Sequence, residues 1–332
     1  MRLKHSVRKR ISQLALVDDV VKRCAGSPLA ANALGSVLRG KASPREWKAV
    51  ISKSIAHNKE DKILPILKLS YDDLPSHMKQ CFAFCAVFPK DFDIDMELLI
   101  QLWMANGFVP KEKDIHLETT GKHIFEELVS RSSFQDVKQV KGDREDDDVY
   151  WYCPRTTCKI HDLMHDVALS AMENEVATIT YEKPKQCEFL QNTCRHLFFS
   201  CDEPEALLND SLKIRSPAIQ TLLCHRRIES SLHHLGKYNS VRTLEISGCP
   251  RLRSLESSSG EMQTLECLSL HYCESLAPFL PNGPQAYSSL RRLRITHCPG
   301  IKSLLGPCGS DWTASMTMVK IWMLVTKVPT KL

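Results

Sequence analysis

The sequence predicts a multidomain α plus α/β fold in three parts: a helical bundle over residues 1–75, a winged-helix domain over 76–180 and a leucine-rich-repeat solenoid over 181–332. Three observations carry that prediction. The first part is a run of amphipathic segments punctuated by helix caps. The second offers three helices, two candidate strands around an acidic loop, and a trailing helix. In the third, the template L-x-x-L-x-L-x-x-C-x-x-L-x-x-L recurs.

Composition is compatible with this division. At 332 residues the chain has room for two or three domains. Hydrophobic residues make up 43% and charged residues 25%, as in soluble folded proteins. The net charge of +5 is too mild to imply nucleic acid. The cluster Arg2, Lys4, Arg8, Lys9 and Arg10 reads as a solvated helix end, because no apolar core follows to make a signal peptide. Fourteen cysteines without a secretory signal read as reduced thiols in the cytoplasm. Cys81 and Cys85 lie four apart on an apolar helix and are expected in the core, while Cys153 and Cys158 lack zinc-site spacing, so no metal is expected. The apolar tail "MTMVKIWMLVTKV" is too short to cross a bilayer and carries Lys320, so no transmembrane segment is expected.

In the bundle, one helix within "ISQLALVDDVVKRCAG" ends at Gly26. A second opens with Ser27 as cap and Pro28 at its first position, buries Leu29, Ala33, Leu34, Val37 and Leu38, and ends at Gly40. A third starts at the capping box "SPRE", and "DKILPILKLSYDDLP" supplies a fourth. Within this region "GSVLRGKASP", Gly35–Pro44, reads G-x-x-x-x-G-K-A, one hydroxyl short of a phosphate-binding loop. A phosphate loop needs a buried strand before it and a helix directly after the Lys-Ser/Thr. Here a helix precedes it and Ala42 stands at the hydroxyl position, so the segment is expected to join two helices.

The second part reads as "SHMKQCFAFCAVFP" stopped by Pro89, "DMELLIQLWMANG" closed by Gly107, and "TTGKHIFEELVSRS". Wing strands follow near 133–139 and 149–153 around the acidic "KGDREDDD", then a helix near "HDLMHDVALSAM". Winged helices often bind DNA, but Asp91–Pro110 holds four acids and no Lys or Arg, and the wing tip is acidic. Repulsion from phosphates argues against DNA as a partner.

In the third part, "VRTLEISGCPRLRSL", "LECLSLHYCESLAPF" and "LRRLRITHCPGIKSL" align with Leu244, Leu268 and Leu293 equivalent, spaced 24 and 25 apart. Cys249, Cys273 and Cys298 recur in step, and Leu197 and Leu222 continue the period in two degenerate copies. The L-x-L segments are expected as strands, with each cysteine tucked inward at the turn.

These motifs together resemble the plant disease-resistance receptors with a nucleotide-binding domain and leucine-rich repeats. "GSPLA" at Gly26–Ala30 resembles the family's GLPLA motif; "CFAFCAVFPKDFDI" with "LIQLWMANGFV" resembles its winged-helix motif; "KIHDLMHDVA" resembles its MHD motif. In the family a signalling domain and a nucleotide-binding fold with Walker motifs come before these elements. Neither is in this sequence, so the resemblance implies a chain truncated before the P-loop domain. It also implies ADP at rest, exchange for ATP on sensing, and repeats that engage a pathogen effector, a guarded host protein or another receptor chain.

Two site residues carry over from the resemblance: Pro28, as the proline that packs on adenine, and His161, as the histidine that meets the ADP β-phosphate. The literal string Met164-His165-Asp166 is not the equivalent one. Aligned on the strand-to-helix junction, the motif is Ile160-His161-Asp162, with Ile in place of Met. For both residues a structural role stands beside the ligand role: helix capping for His161, the first helical position for Pro28. Lacking the phosphate cradle, the chain alone is expected to bind ADP weakly or not at all and not to be an enzyme. Two alternatives stay open: an NTPase acting with a partner that supplies the P-loop, and a truncated gene product without activity of its own.

Overall fold

The computed structural model describes residues 15–54, 63–140, 155–180, 192–200, 219–225, 240–253, 255, 263–276, 288–301 and 320–324. They fall into two compact units, one running to Val140 and resuming over Arg155–Met172, the other holding the described residues from Glu173 onward. Among them no helix is long and apolar enough to cross a membrane.

The first unit opens with helices. Helix α1 (Val17–Cys24) ends in a left-handed turn, Ala25 at φ 48° and Gly26 at φ 79°. Ser27 then caps α2 (Pro28–Arg39), accepting the Ala30 N–H at 3.3 Å. Leu29, Ala33, Leu34, Val37 and Leu38 are all buried, as their spacing required. Gly40 follows the helix at φ −76°, without the left-handed turn expected of a terminal glycine. The last turn instead tightens, with Lys41 N–H closing on the Leu38 carbonyl at 3.0 Å. Helix α3 (Pro44–Lys53) begins in a reciprocal capping box: Glu46 N–H donates to the Ser43 hydroxyl at 3.3 Å and Ser43 N–H to the Glu46 carboxylate at 2.7 Å. The Gly35–Pro44 segment therefore joins two helices. Helix α4 (Leu64–Asp72) buries Ile66 and Leu67 and packs on α2.

The rest of this unit has winged-helix architecture. Helix α5 (Ser76–Phe84) does not run on to Pro89 as expected. It tightens into a 3₁₀ turn over Cys85–Val87, and Phe88 is extended at ψ 145° because a following proline disfavours the helical region. Strand β1 (Ile94–Asp95) leads into α6 (Met96–Ala105), capped by Asp95, whose carboxylate accepts Leu98 N–H at 2.9 Å. Gly107 at φ 75° closes α6, with Phe108 N–H bonded to the Trp103 carbonyl at 2.9 Å. Helix α7 (Leu117–Ser130) approaches α6 so closely at Gly121 that a Cβ there would lie 2.5 Å from Ile100 Cγ2. Strands β2 (Phe134–Val140) and β3 (Arg155–Ile160) then pair antiparallel, with Phe134 opposite Ile160, and helix α8 (Asp162–Ala171) follows. The sheet order is β1-β3-β2. The expected wing strand near 149–153 and the acidic loop before it lie outside the described residues; the strand that pairs with β2 is Arg155–Ile160. Trp103, Phe82, Phe84, Phe88, Ile94 and Leu99 form the fully buried centre.

Asp73 ties the helical region to the winged helix. Its carboxylate receives Lys41 Nζ at 2.8 Å and Arg131 Nη1 at 3.4 Å, and Arg131 Nε also meets Glu127 at 2.8 Å.

The second unit is a seven-stranded parallel sheet whose strands follow one another in chain order. They are β4 (Val176–Thr180), β5 (His196–Ser200), β6 (Thr221–His225), β7 (Thr243–Ser247), β8 (Cys267–His271), β9 (Arg292–Thr296) and β10 (Lys320–Leu324). Leu197, Leu222, Leu244, Leu268 and Leu293 stand opposite one another from strand to strand, and each is at most 1% exposed. The sheet starts earlier than the boundary drawn at residues 180 and 181: Val176–Thr180, assigned to the winged helix, pairs in register with His196–Ser200. Its sequence "VATIT" carries no repeat template, so only the pairing reveals it. At the far edge Lys320–Leu324 of the apolar tail pairs with Arg292–Thr296.

After β7, β8 and β9 the turn is built the same way. The next residue is left-handed: Gly248 at φ 65°, Tyr272 at 53° and His297 at 54°. The following cysteine is buried and donates its thiol to the last strand carbonyl: Cys249 to Ser247 at 3.5 Å, Cys273 to His271 at 3.5 Å, Cys298 to Thr296 at 3.4 Å. The inward cysteine predicted from the repeat thus satisfies turn backbone.

Candidate functional site

The site residues read from sequence lie at two helix N-termini of the first unit. Pro28 occupies the first position of α2 and is exposed, directly after the left-handed Ala25–Gly26 turn. Its missing N–H costs nothing there. His161 stands between β3 and α8, half-buried, with extended backbone at φ −65° and ψ 136°. The two helices are linked through α4, which packs on both.

His161 caps its helix through the side chain. Its Nδ1 accepts the Leu163 N–H at 3.4 Å, and its carbonyl accepts the His165 N–H at 2.8 Å. A ring whose Nδ1 accepts carries its proton on Nε2 when neutral. His161 is thus set as an Nε2–H donor at the positive end of a helix dipole, a setting that suits a phosphate oxygen.

His165, one turn on, is placed quite differently. It is 7% exposed, and its Nε2 donates to the Phe88 carbonyl at 2.8 Å. Its Nδ1 has no hydrogen-bond partner among the described residues. Next to it Asp166 pairs with Lys90 at 2.7 Å on the surface. Of the literal Met164-His165-Asp166 string, His165 and Asp166 therefore engage the protein's own turn over Phe88–Lys90. Sequence reasoning separated the two histidines but missed this contact, whose partners are 77 residues apart.

Three thiols of this unit lie in its core. Burial pushes Cys81 and Cys158 up to about 12 and Cys85 well above the ordinary thiol range. Among the described residues no cluster of His, Cys, Asp or Glu could hold a metal ion.

The fold and the helix-start histidine define a winged-helix module followed by a parallel repeat sheet. Comparison with known proteins agrees for the winged helix. Residues 87–168 match the family model of the disease resistance protein winged helix domain. The chain is 42% identical over 159 residues to the putative disease resistance protein RGA1 of Solanum bulbocastanum, which covers 47% of this chain and 15% of that protein. It is 41% identical over 126 residues to a putative disease resistance RPP13-like protein of Arabidopsis thaliana, covering 37% of this chain and 12% of the relative. A further putative disease resistance protein of Arabidopsis thaliana is 30% identical over 271 residues, 74% of this chain and 18% of that protein. The chain belongs to the family of plant disease resistance proteins. It spans less than a fifth of the length of each of these three relatives.

Proposed function

We propose that this chain is part of a plant innate-immune receptor of the cytoplasm, contributing to an ADP/ATP-controlled defence response. On this reading the parallel sheet is a leucine-rich-repeat solenoid that recognises a pathogen effector, a guarded host protein or another receptor chain. His161 meets the β-phosphate of ADP, and Pro28 packs against the adenine. The observation that carries the reading is the state of His161: its cap bond leaves an Nε2–H at a helix N-terminus, whereas His165 is committed to the Phe88 carbonyl. The repeat reading is supported by five leucines in cross-strand register and by the recurring cysteine turn. When bound, ADP would supply the charge that distinguishes the resting state; the chain's own part is to donate a hydrogen bond and to orient the helix end.

The chain alone is not proposed to hydrolyse ATP. The segment nearest in sequence to a phosphate loop is two helices and a capping box. Losing the charge-assisted hydrogen bonds of a phosphate cradle, about 1.5–3 kcal/mol each, weakens binding by several factors of ten. Titration calorimetry of the chain with ADP is expected to give binding weaker than micromolar. Micromolar or tighter binding would show that the phosphates are held by groups other than those named here.

A further inference from the structure

His161 is held from three directions. Before it, β3 ends at Ile160, paired to Phe134. After it, the Leu163 N–H reaches its ring and the His165 N–H reaches its carbonyl. The first turn of a helix has few intrahelical partners of its own, so its position depends on what anchors it. Here one residue does both jobs. His165 grips His161 through its backbone N–H, and grips the winged-helix core through its ring, at the Phe88 carbonyl.

The anchor itself is firm. Phe88 is 1% exposed, stacks on Phe92 with ring centroids 5.5 Å apart, and has its N–H bonded to the Cys85 carbonyl at 3.2 Å. The neighbouring Asp166–Lys90 pair is nearly half exposed on both sides and adds little. A leucine at position 165 would fill the same space without burying the unpaired Nδ1, which costs stability. The imidazole is accounted for by its bond to Phe88.

The geometry points to His165 as a positioning residue: by bonding the Phe88 carbonyl it fixes the first turn of α8 and so sets where His161 is presented. That His161 then meets a phosphate rests on the function proposed above; the positioning itself does not, and it can be measured without nucleotide.

The test uses the full chain with His165→Leu, which keeps bulk but removes the donor, and His165→Gln, which restores a side-chain N–H at about the same reach. Amide hydrogen exchange over residues 163–165 and the ¹⁵N resonances of the His161 ring are read for each. His165→Leu is expected to speed exchange at these amides roughly tenfold or more, and to shift the His161 ring signals. Helices α6 and α7 should stay at wild-type rates, and His165→Gln should recover both readouts. Should the leucine variant fail to fold, His165→Asn, polar but too short to reach Phe88, takes its place against Gln with the same expectations. Wild-type exchange and ring signals in the donor-less variant, or no recovery by Gln, overturn the inference. Positive results here combined with no effect of His161 on ADP would leave the positioning standing and remove the nucleotide role.

Discussion

The winged-helix unit and the parallel sheet solve the same problem, burying polar groups, in opposite ways. The sheet repeats one solution. His196 on β5 bonds the Thr221 hydroxyl opposite it on β6 at 3.0 Å, and His271 on β8 bonds the Thr296 hydroxyl opposite it on β9. Three cysteines in register close three turns in one manner. The winged-helix unit uses individual long-range contacts, such as His165 on the Phe88 carbonyl and the Asp73 hub. A repeated geometry needs only neighbours to be correct, so its stability is local and nearly additive. A unique geometry needs distant segments to arrive together.

The largest separation between the units is expected in acid. Burial first, then Arg195, lowers His196 to about 4; burial, then Arg294 and His297, lowers His271 to about 3. A histidine held below its unfolded value near 6.5 is neutral in both states at higher pH and contributes no pH dependence there. As pH falls from 6.5 toward 4 and 3, the unfolded chain takes up protons that the folded sheet refuses, so stability is lost across that window. At about 1.4 kcal/mol per unit of displacement the loss is roughly 3 kcal/mol for His196 and roughly 5 kcal/mol for His271 once each folded value is reached. Hydrogen exchange of the β5–β9 amides between pH 7 and 4 should show it, and His271→Asn should flatten the slope. An unchanged slope in that variant would mean that His271 is not the buried neutral group described.

A smaller contrast is expected from two glycines. At Gly300, in the turn after Cys298, an added Cβ would lie 2.3 Å from the Leu276 backbone oxygen of the preceding repeat. Gly300→Ala is expected to destabilise the sheet by about 1–3 kcal/mol, since backbone must move. At Gly35, within α2, nothing lies within 4 Å of the added Cβ. Gly35→Ala is expected to stabilise by roughly 0.5–1 kcal/mol through helix propensity. Thermal melts of both variants decide the matter; equal effects would show that the repeat turns are no tighter than an open helix face.

The same contrast explains what could be read in advance. The sheet's central five strands were legible because a period of 22 to 25 residues places Leu197 to Leu293 on one line, and the pairing follows that line. Its edges were not: "VATIT" and "KIWML" lack the template, and only hydrogen bonding to a neighbour marks them as strands. In the first unit the caps at Ser27 and Ser43 were legible because a cap is a local bond within three residues. The end of α5 was misjudged because Pro89 acts on the residue before it, and β1 was missed because two residues carry no alternation. For the site, the helix-start position of His161 could be read from the junction of strand and helix. What holds it there could not, because Phe88 is a backbone carbonyl 77 residues away from its partner.

The central claim is that His161, and not His165, is the histidine offered to a nucleotide phosphate. Phosphorus-31 spectra of ADP titrated with the full chain test it most directly, because line broadening detects binding too weak for calorimetry. The β-phosphorus is expected to broaden more than the α. His161→Ala should abolish the effect, whereas His165→Gln, which keeps the bond to Phe88, should preserve it. Broadening that survives His161→Ala, or that is lost in His165→Gln while the first turn of α8 stays protected from exchange, would contradict the account.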